Sequence, residues 1–304
     1  MKRFMKSAEL ARDDRFTRTQ IPIDFLMSEE VTVEQLEQTM TTFMANDEMR
    51  EMMGPMLEQF GGGLPTKRLD PKDDEAALMT KGMMHGIFMG EMQALEAAGR
   101  SCWDFTDAGL PWQFQLDMAR QCWDETRHVE TYAALLNHVD AEIGEFPENV
   151  MLFEFGCSDD PAERVVGVNR CLEGLALDVF DDTIRFGKKA GDEVIWRSVD
   201  YVAADEVTHV RFGQVWAKAL TAQDPERRAR VVAFQRKVER AFSFGGFRGS
   251  YDGPGSEAFL PIATGLRKLA GFSDEDLAEV AGAAPKIKYS QSDLEGVASK
   301  MAAG

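Results

Sequence analysis

The chain has 304 residues, 44% hydrophobic and 28% charged, which suits a globular protein of one large domain with appendages or of two small domains. Its formal net charge of −18 disfavours a nucleic-acid partner, because such binding needs clustered Lys and Arg, and Arg227, Arg228 and Arg230 read as one solvated helix face. The N-terminal MKRFMKSAELARDD lacks the apolar core of a signal peptide, no stretch approaches a membrane span, and Cys102, Cys122, Cys157 and Cys171 form no CxxC pair, so a cytoplasmic protein with reduced thiols and no membrane contact is expected.

A first helical region is expected at about 30–60, closed by Gly61-Gly62-Gly63-Leu64-Pro65. Asp70-Pro71, Asp160-Pro161 and Asp224-Pro225 each set a capping aspartate before a proline suited to the first helical turn. Apolar spacing then predicts helices near 73–99, 111–142, 160–189, 192–221 and 225–244, broken at Gly99, at 109–111, at 144–147 and at 187–191. GGFRGSYDGPG reads as a flexible linker. Two short helices follow at 256–270 and 273–282, the second opened by Ser273 and Asp276 as a capping box, and the polar tail from Pro285 is expected to be poorly ordered. Nothing asks for a sheet, and the predicted class is all-α.

Only four histidines occur, yet two close the same phrase: DETRHV at 124–129 and DEVTHV at 205–210. Glu125 and His128, like Glu206 and His209, stand three apart and share one helix face. One helix upstream, EMQALE begins at Glu91 and EGLALD at Glu173. The second copy follows the first by 82 positions at the lone glutamate (91 to 173) and by 81 at the paired residues (125 to 206, 128 to 209). A duplicated helical hairpin is the economical explanation. Packed antiparallel, two such hairpins form a four-helix bundle whose core receives Glu91, Glu125, His128, Glu173, Glu206 and His209. One Glu from each of two helices and Glu-x-x-His from each of the others is the donor pattern of carboxylate-bridged dinuclear metal bundles, and it suits iron or manganese. Asp124 is expected to orient His209 across the bundle, and Asp205 to orient His128. Glu96 and Asp178, five residues beyond the lone glutamates, lie well round the helix and read as supporting or surface groups. His85 and His138 have no repeat partner and read as ordinary histidines.

At GEMQALE, LEGLALD and DEVTHVRFG the sequence resembles the ferritin-like diiron carboxylate superfamily, and within it a bacterial ferritin-like family with paired DE-x-x-H-V motifs. Its pattern is related to that of tRNA-modifying diiron hydroxylases and, more distantly, to N-oxygenases and ribonucleotide-reductase radical subunits. The resemblance spans about 75–220. Taken with the glycine and proline breaks, it divides the chain into a helical extension at 1–69, a ferritin-like bundle with a fifth helix at 70–245, and a linker with short helices at 246–304, the outer two being read from composition alone. It further implies two Fe ions, with Mn/Fe as the alternative, O₂ as co-substrate, an electron donor such as a ferredoxin or flavin reductase, and a homodimer. The expected activity is that of a non-haem diiron oxygenase that hydroxylates or N-oxygenates a small organic substrate. Ferroxidase activity with iron storage, or radical generation, are the alternatives. For a radical, Tyr132, four residues after His128, is the catalytic candidate, and Tyr201 shares the face less well; a packed tyrosine is the plainer reading of both. Methionines crowd 40–56 (Met40, Met44, Met49, Met52, Met53, Met56) and the first bundle helix (Met79, Met83, Met84, Met89, Met92). Core packing is their plain role and a deformable apolar lining over the site the sharper one.

Overall fold

A computed structural model describes residues 27–45, 70–72, 76–146, 148, 150–243 and 260–303. It is mostly helical. The expected linker, the Gly61–Pro65 stretch and Met49, Met52, Met53 and Met56 lie outside the described residues. The elements run β1 (Glu30–Thr32), α1 (Val33–Met44), α2 (Ala76–Asp104), α3 (Trp112–His138), α4 (Met151–Gly156), α5 (Pro161–Val165), a π-helical segment (Val166–Leu172), α6 (Glu173–Ala190), α7 (Glu193–Thr221), α8 (Pro225–Ala241), α9 (Thr264–Leu269), α10 (Asp274–Gly282), β2 (Lys286–Lys288) and α11 (Gln291–Ala303). The π segment joins α5 and α6 into one continuous rod, and the Glu173 N–H reaches back five residues to the Val168 carbonyl.

Two hairpins dominate. α2 packs along α3, α6 packs along α7, and α3 meets α7 across the middle. On α3 the buried seam reads Phe114, Met118, Gln121, Glu125, His128, Tyr132, Leu135, in alternating steps of four and three. α7 repeats it with Ile195, Val199, Val202, Glu206, His209, Gly213, Trp216. That period keeps one stripe facing a partner helix along its whole length. α3 and α7 run antiparallel: the Phe114 and Trp216 rings meet edge to face at 5.2 Å at one end, and Leu135 clusters with Ile195 and Val199 at the other. The polar residues occupy the middle of the seam, with an apolar cluster on either side.

The local signals act as their chemistry demands. Asp160 accepts hydrogen bonds from the backbone N–H of Ala162 and Glu163, and Asp224 from that of Arg227, each before an N-terminal proline. Asp192 caps α7 through the Ile195 N–H. Asp70 accepts from the Lys72 N–H in a turn, and α2 begins at Ala76. Ser273 and Asp276 form the capping box of α10.

Four expectations are corrected. Gly99 does not break α2, which continues to Asp104; it sits against Cys122, whose Sγ would lie 3.7 Å from an added Cβ. The helix expected at 256–270 is confined, within the described residues, to Thr264–Leu269, because Pro261 lacks a donor and the Ala263 N–H is taken by Asp178. A small sheet does occur: β1 pairs in parallel with β2, Glu30 opposite Lys286 and Thr32 opposite Lys288. Three residues are too few for a period of two to show in sequence. Finally, the polar tail forms β2 and α11, and Lys300 of α11 pairs with Glu37 of α1, so the first and last described helices are tied together.

α7 also lies unusually close to the π segment. A Cβ on Gly213 would come within 2.7 Å of the Arg170 backbone nitrogen and 2.9 Å of the Asn169 carbonyl carbon. Backbone cannot yield as a flexible side chain does. Gly213→Ala is therefore expected to destabilise the protein by roughly 1–3 kcal/mol in urea titration, and an unchanged midpoint would contradict this close approach.

Candidate metal centre

The six sequence-predicted donors come together, all buried and none more than 5% exposed. They form two overlapping groups: Glu91, Glu125, His128 and Glu206, and Glu125, Glu173, Glu206 and His209. In each group one donor atom per residue lies within 4.8 Å of every other. Glu125 and Glu206 belong to both.

The shared carboxylates divide their oxygens between the histidines. Glu125 Oε2 lies 3.0 Å from His128 Nδ1 and its Oε1 3.1 Å from His209 Nδ1. Glu206 Oε1 lies 3.1 Å from His128 Nδ1 and its Oε2 3.0 Å from His209 Nδ1. Glu91 Oε2 adds a contact of 3.4 Å to His128 Nδ1. Both Nδ1 atoms thus aim between the carboxylates. Glu206 Oε1, though close to His128, makes no aligned hydrogen bond and is an orphaned buried acceptor. Carboxylate oxygens with imidazole nitrogen, and a bridging carboxylate on either side, fit a pair of divalent ions, one per group.

The outward ring nitrogens turn to the neighbouring helix's aspartate. His128 Nε2 is 3.4 Å from Asp205 Oδ2, and His209 Nε2 is 3.3 Å from Asp124 Oδ2. This crossed pairing leaves each Nδ1 free to face the site. The aspartates are held in turn by arginines. Arg120 Nε donates to Asp124 Oδ2 at 2.6 Å, and Arg127 donates to Asp124 and, at 3.0 Å, to Asp205.

Sequence reasoning missed Gln121, Asn169 and the two arginines. Gln121 Nε2 donates to Glu173 and, at 3.2 Å, to Glu125, while its Oε1 accepts from Asn169 Nδ2 at 2.6 Å. A signal was present: Gln121 and Asn169 each stand one turn before a site glutamate, polar residues inside an apolar seam.

The remaining candidates lie elsewhere. Glu96 is exposed and pairs with Arg100. Asp178 is buried and holds Arg267 through two hydrogen bonds of 2.8 and 2.9 Å, pinning α9 to α6. His85 accepts from the Gly144 N–H, and His138 pairs with Asp192 at 2.8 Å. Tyr201 is exposed beside Arg127, whereas Tyr132 is fully buried one turn from His128 and its hydroxyl has no hydrogen-bond partner.

Burial pushes the Glu91 and Glu173 carboxyls well above the usual carboxylate range, and neighbouring carboxylates add to it. Burial also opposes ionisation of Glu125, yet the imidazoles of His209 and His128 together hold it below its ordinary value. Burial works against charging His128 and His209 too, but the surrounding carboxylates prevail and raise both. Asp124 is drawn down, against burial, by His209, Arg127 and Arg120.

An apolar cavity of about 360 Å³ meets this cluster from one side. It lies between α2, α4, the π segment and α6, and Glu91 and Glu173 form part of its wall. Met83 and Met89 line it; Met84 is in the core and Met92 is exposed. Among the described residues no helix is long and apolar enough to cross a membrane.

Residues 26–277 match the family described as protein of unknown function (DUF455), and the chain belongs to it. No curated protein and no solved structure matches the chain.

Two predictions follow from the donor geometry. Glu206→Ala and His128→Ala are each expected to lose at least one tightly held ion per chain by elemental analysis, while His85→Ala and His138→Ala keep the wild-type content. The upward shifts of Glu91, Glu173, His128 and His209 favour their protonated forms, so an ion binding there is expected to displace protons. Apparent affinity for Mn²⁺ should therefore rise with pH, by more than about tenfold per unit if more than one proton leaves, with matching proton release in weakly buffered solution. Affinity flat between about pH 6 and 8 would contradict the protonation assigned here.

Proposed function

We propose that this protein is a ferritin-like four-helix bundle that holds two iron ions and uses O₂ to hydroxylate or N-oxygenate a small organic substrate. The observation that carries the reading is the meeting of two things: paired donor groups sharing Glu125 and Glu206, and an apolar cavity walled in part by Glu91 and Glu173. A storage site needs the donors but has no use for a hydrocarbon-lined space beside them.

When bound, a reduced iron pair would supply the activation of O₂ that no protein side chain can provide. The chain does the rest. Glu125 and Glu206 fix the spacing of the two positions. Asp124 and Asp205 keep each imidazole turned so that Nδ1 faces inward, and Arg120 and Arg127 balance the charge of those aspartates. Gln121 restrains Glu173, the carboxylate on the cavity side of the second group. The clusters around Tyr132 and around Phe114 exclude water from either end of the seam. Hydroxylation of R–H by O₂ yields R–OH and water and consumes two electrons and two protons, so repeated turnover requires an external donor such as a ferredoxin or a flavin reductase.

Radical generation has weaker support. Tyr132 is close enough to Glu91 and Glu206 for both, after burial itself, to push its phenol well above the ordinary range. Its hydroxyl nevertheless touches no acceptor that could take the proton lost on oxidation.

The test is a single turnover. The chain is loaded with ferrous iron without oxygen, mixed with ¹⁸O-labelled O₂, and screened against a panel of small organic compounds. The expected result is label in an organic product from some panel members and faster ferrous oxidation in their presence. Ferric mineral accumulating at a rate indifferent to every compound would support iron storage instead.

A further inference from the structure

The cavity specifies what it can hold. Its described wall is built from side chains such as Met83, Ile87, Leu152, Val179 and Phe180, and the only polar side chains in it are Glu91, Gln93 and Glu173. Gln93 is committed: its Oε1 accepts from the Phe153 N–H at 3.2 Å and its Nε2 donates to the Met89 carbonyl at 3.3 Å. Glu91 and Glu173 belong to the ion-holding groups. The described wall therefore has no cation for a carboxylate or phosphate and no uncommitted amide or hydroxyl. An anion would be desolvated opposite two carboxylates, and an organic cation would compete for the carboxylates that hold the ions.

Glycine keeps this space open. Gly86 and Gly90, one turn apart on α2, both line the cavity, and Gly90 immediately precedes Glu91. A Cβ on Gly90 would meet only the Leu152 Cδ1 methyl, at 3.5 Å, and one on Gly86 would meet nothing within 4 Å. Neither glycine has a positive φ, so neither is required by backbone conformation. In mid-helix glycine is less favourable than alanine, a cost that open volume beside the site explains. Gly86 is exposed, so the cavity reaches the surface there. Met83, Met89 and Met151 add walls that can deform around an occupant.

We propose that this cavity is the substrate chamber, that it takes an uncharged, largely hydrocarbon molecule, and that Gly90 and Gly86 set the size it admits. The inference rests on the oxygenase reading only for what happens to the molecule once bound. Occupancy of the chamber stands on its own and is measured separately from iron content and turnover.

The probes are naphthalene and naphthalene-2,6-disulfonate, which share a ring system; the dianion must bring one sulfonate inside. Each is titrated into the full chain, both ion-free and iron-loaded under argon, and followed by ligand fluorescence and thermal shift. Naphthalene is expected to saturate at one per chain and the disulfonate to bind at least tenfold more weakly. Gly90→Leu should weaken naphthalene at least tenfold with iron content unchanged. Should Gly90→Leu fold poorly, Gly86→Leu, whose Cβ would meet nothing within 4 Å, is expected to weaken naphthalene in the same direction. Equal binding of the two probes, or wild-type naphthalene affinity in well-folded Gly90→Leu and Gly86→Leu, overturns the proposal. Loss of iron binding in the wild type with naphthalene still bound would remove the oxygenase reading and leave the chamber standing.

Discussion

Four carboxylates buried within reach of one another cannot all remain charged in an apolar interior unless cations share the space. That constraint organises the molecule. Glu125 and Glu206 sit mid-seam, where period and packing would favour leucine, Glu91 and Glu173 join them from α2 and α6, and two imidazoles, those of His128 and His209, stand among the four. Burial and neighbouring charge push Glu91, Glu173 and the histidines toward their protonated forms, which eases the conflict. Two divalent ions would relieve it completely, since their charge equals that of four carboxylates beside neutral imidazoles. The surrounding pairs, arginine with aspartate and aspartate with histidine, extend the same neutralisation outward until it reaches solvent at Arg120.

The two hairpins repeat one pattern, but their differences do as much as their likeness. Seam positions correspond one for one at an offset of 81, so Tyr132 of α3 has its counterpart in Gly213 of α7, and Gln121 its counterpart in Val202. Gly213 admits the π segment against α7, and that segment carries Asn169, which orients Gln121, which in turn holds Glu173. Glu91 in the other copy receives no such amide. The π segment also presents Val168 and Leu172 to the cavity, and Arg170 reaches Asp276 of α10 at 2.8 Å. Departure from regular helix is therefore concentrated where the site meets both its cavity and the C-terminal elements. Irregular turns of this kind recur at functional sites.

The convergence of the six residues was legible because helix geometry converts a spacing of three into a shared face, and because the same spacing recurs in register 81 positions on. The crossed roles of Asp124 and Asp205 followed from the same repeat. The long helices were legible from apolar period and from Asp-Pro caps at Asp160 and Asp224. What sequence left hidden depended on contacts between distant segments. VGVNRCL has ordinary helical spacing, and nothing in it announces a π turn. The strand pairing of Glu30 with Lys286 joins the two ends of the chain through three residues each. Asp178 looked like a surface group, yet Arg267, buried through the room left by Gly174, makes it an anchor. The cavity arises from the separation of α2 and α6 under α4, which no local pattern encodes.

The most direct test of the shared-carboxylate centre is anomalous diffraction at the iron edge from iron-loaded crystals. Two peaks per chain are expected, roughly 3.5–4 Å apart, one toward Glu91 and His128, the other toward Glu173 and His209, with Glu125 and Glu206 touching both. A single peak, or density away from these six residues, would contradict the account.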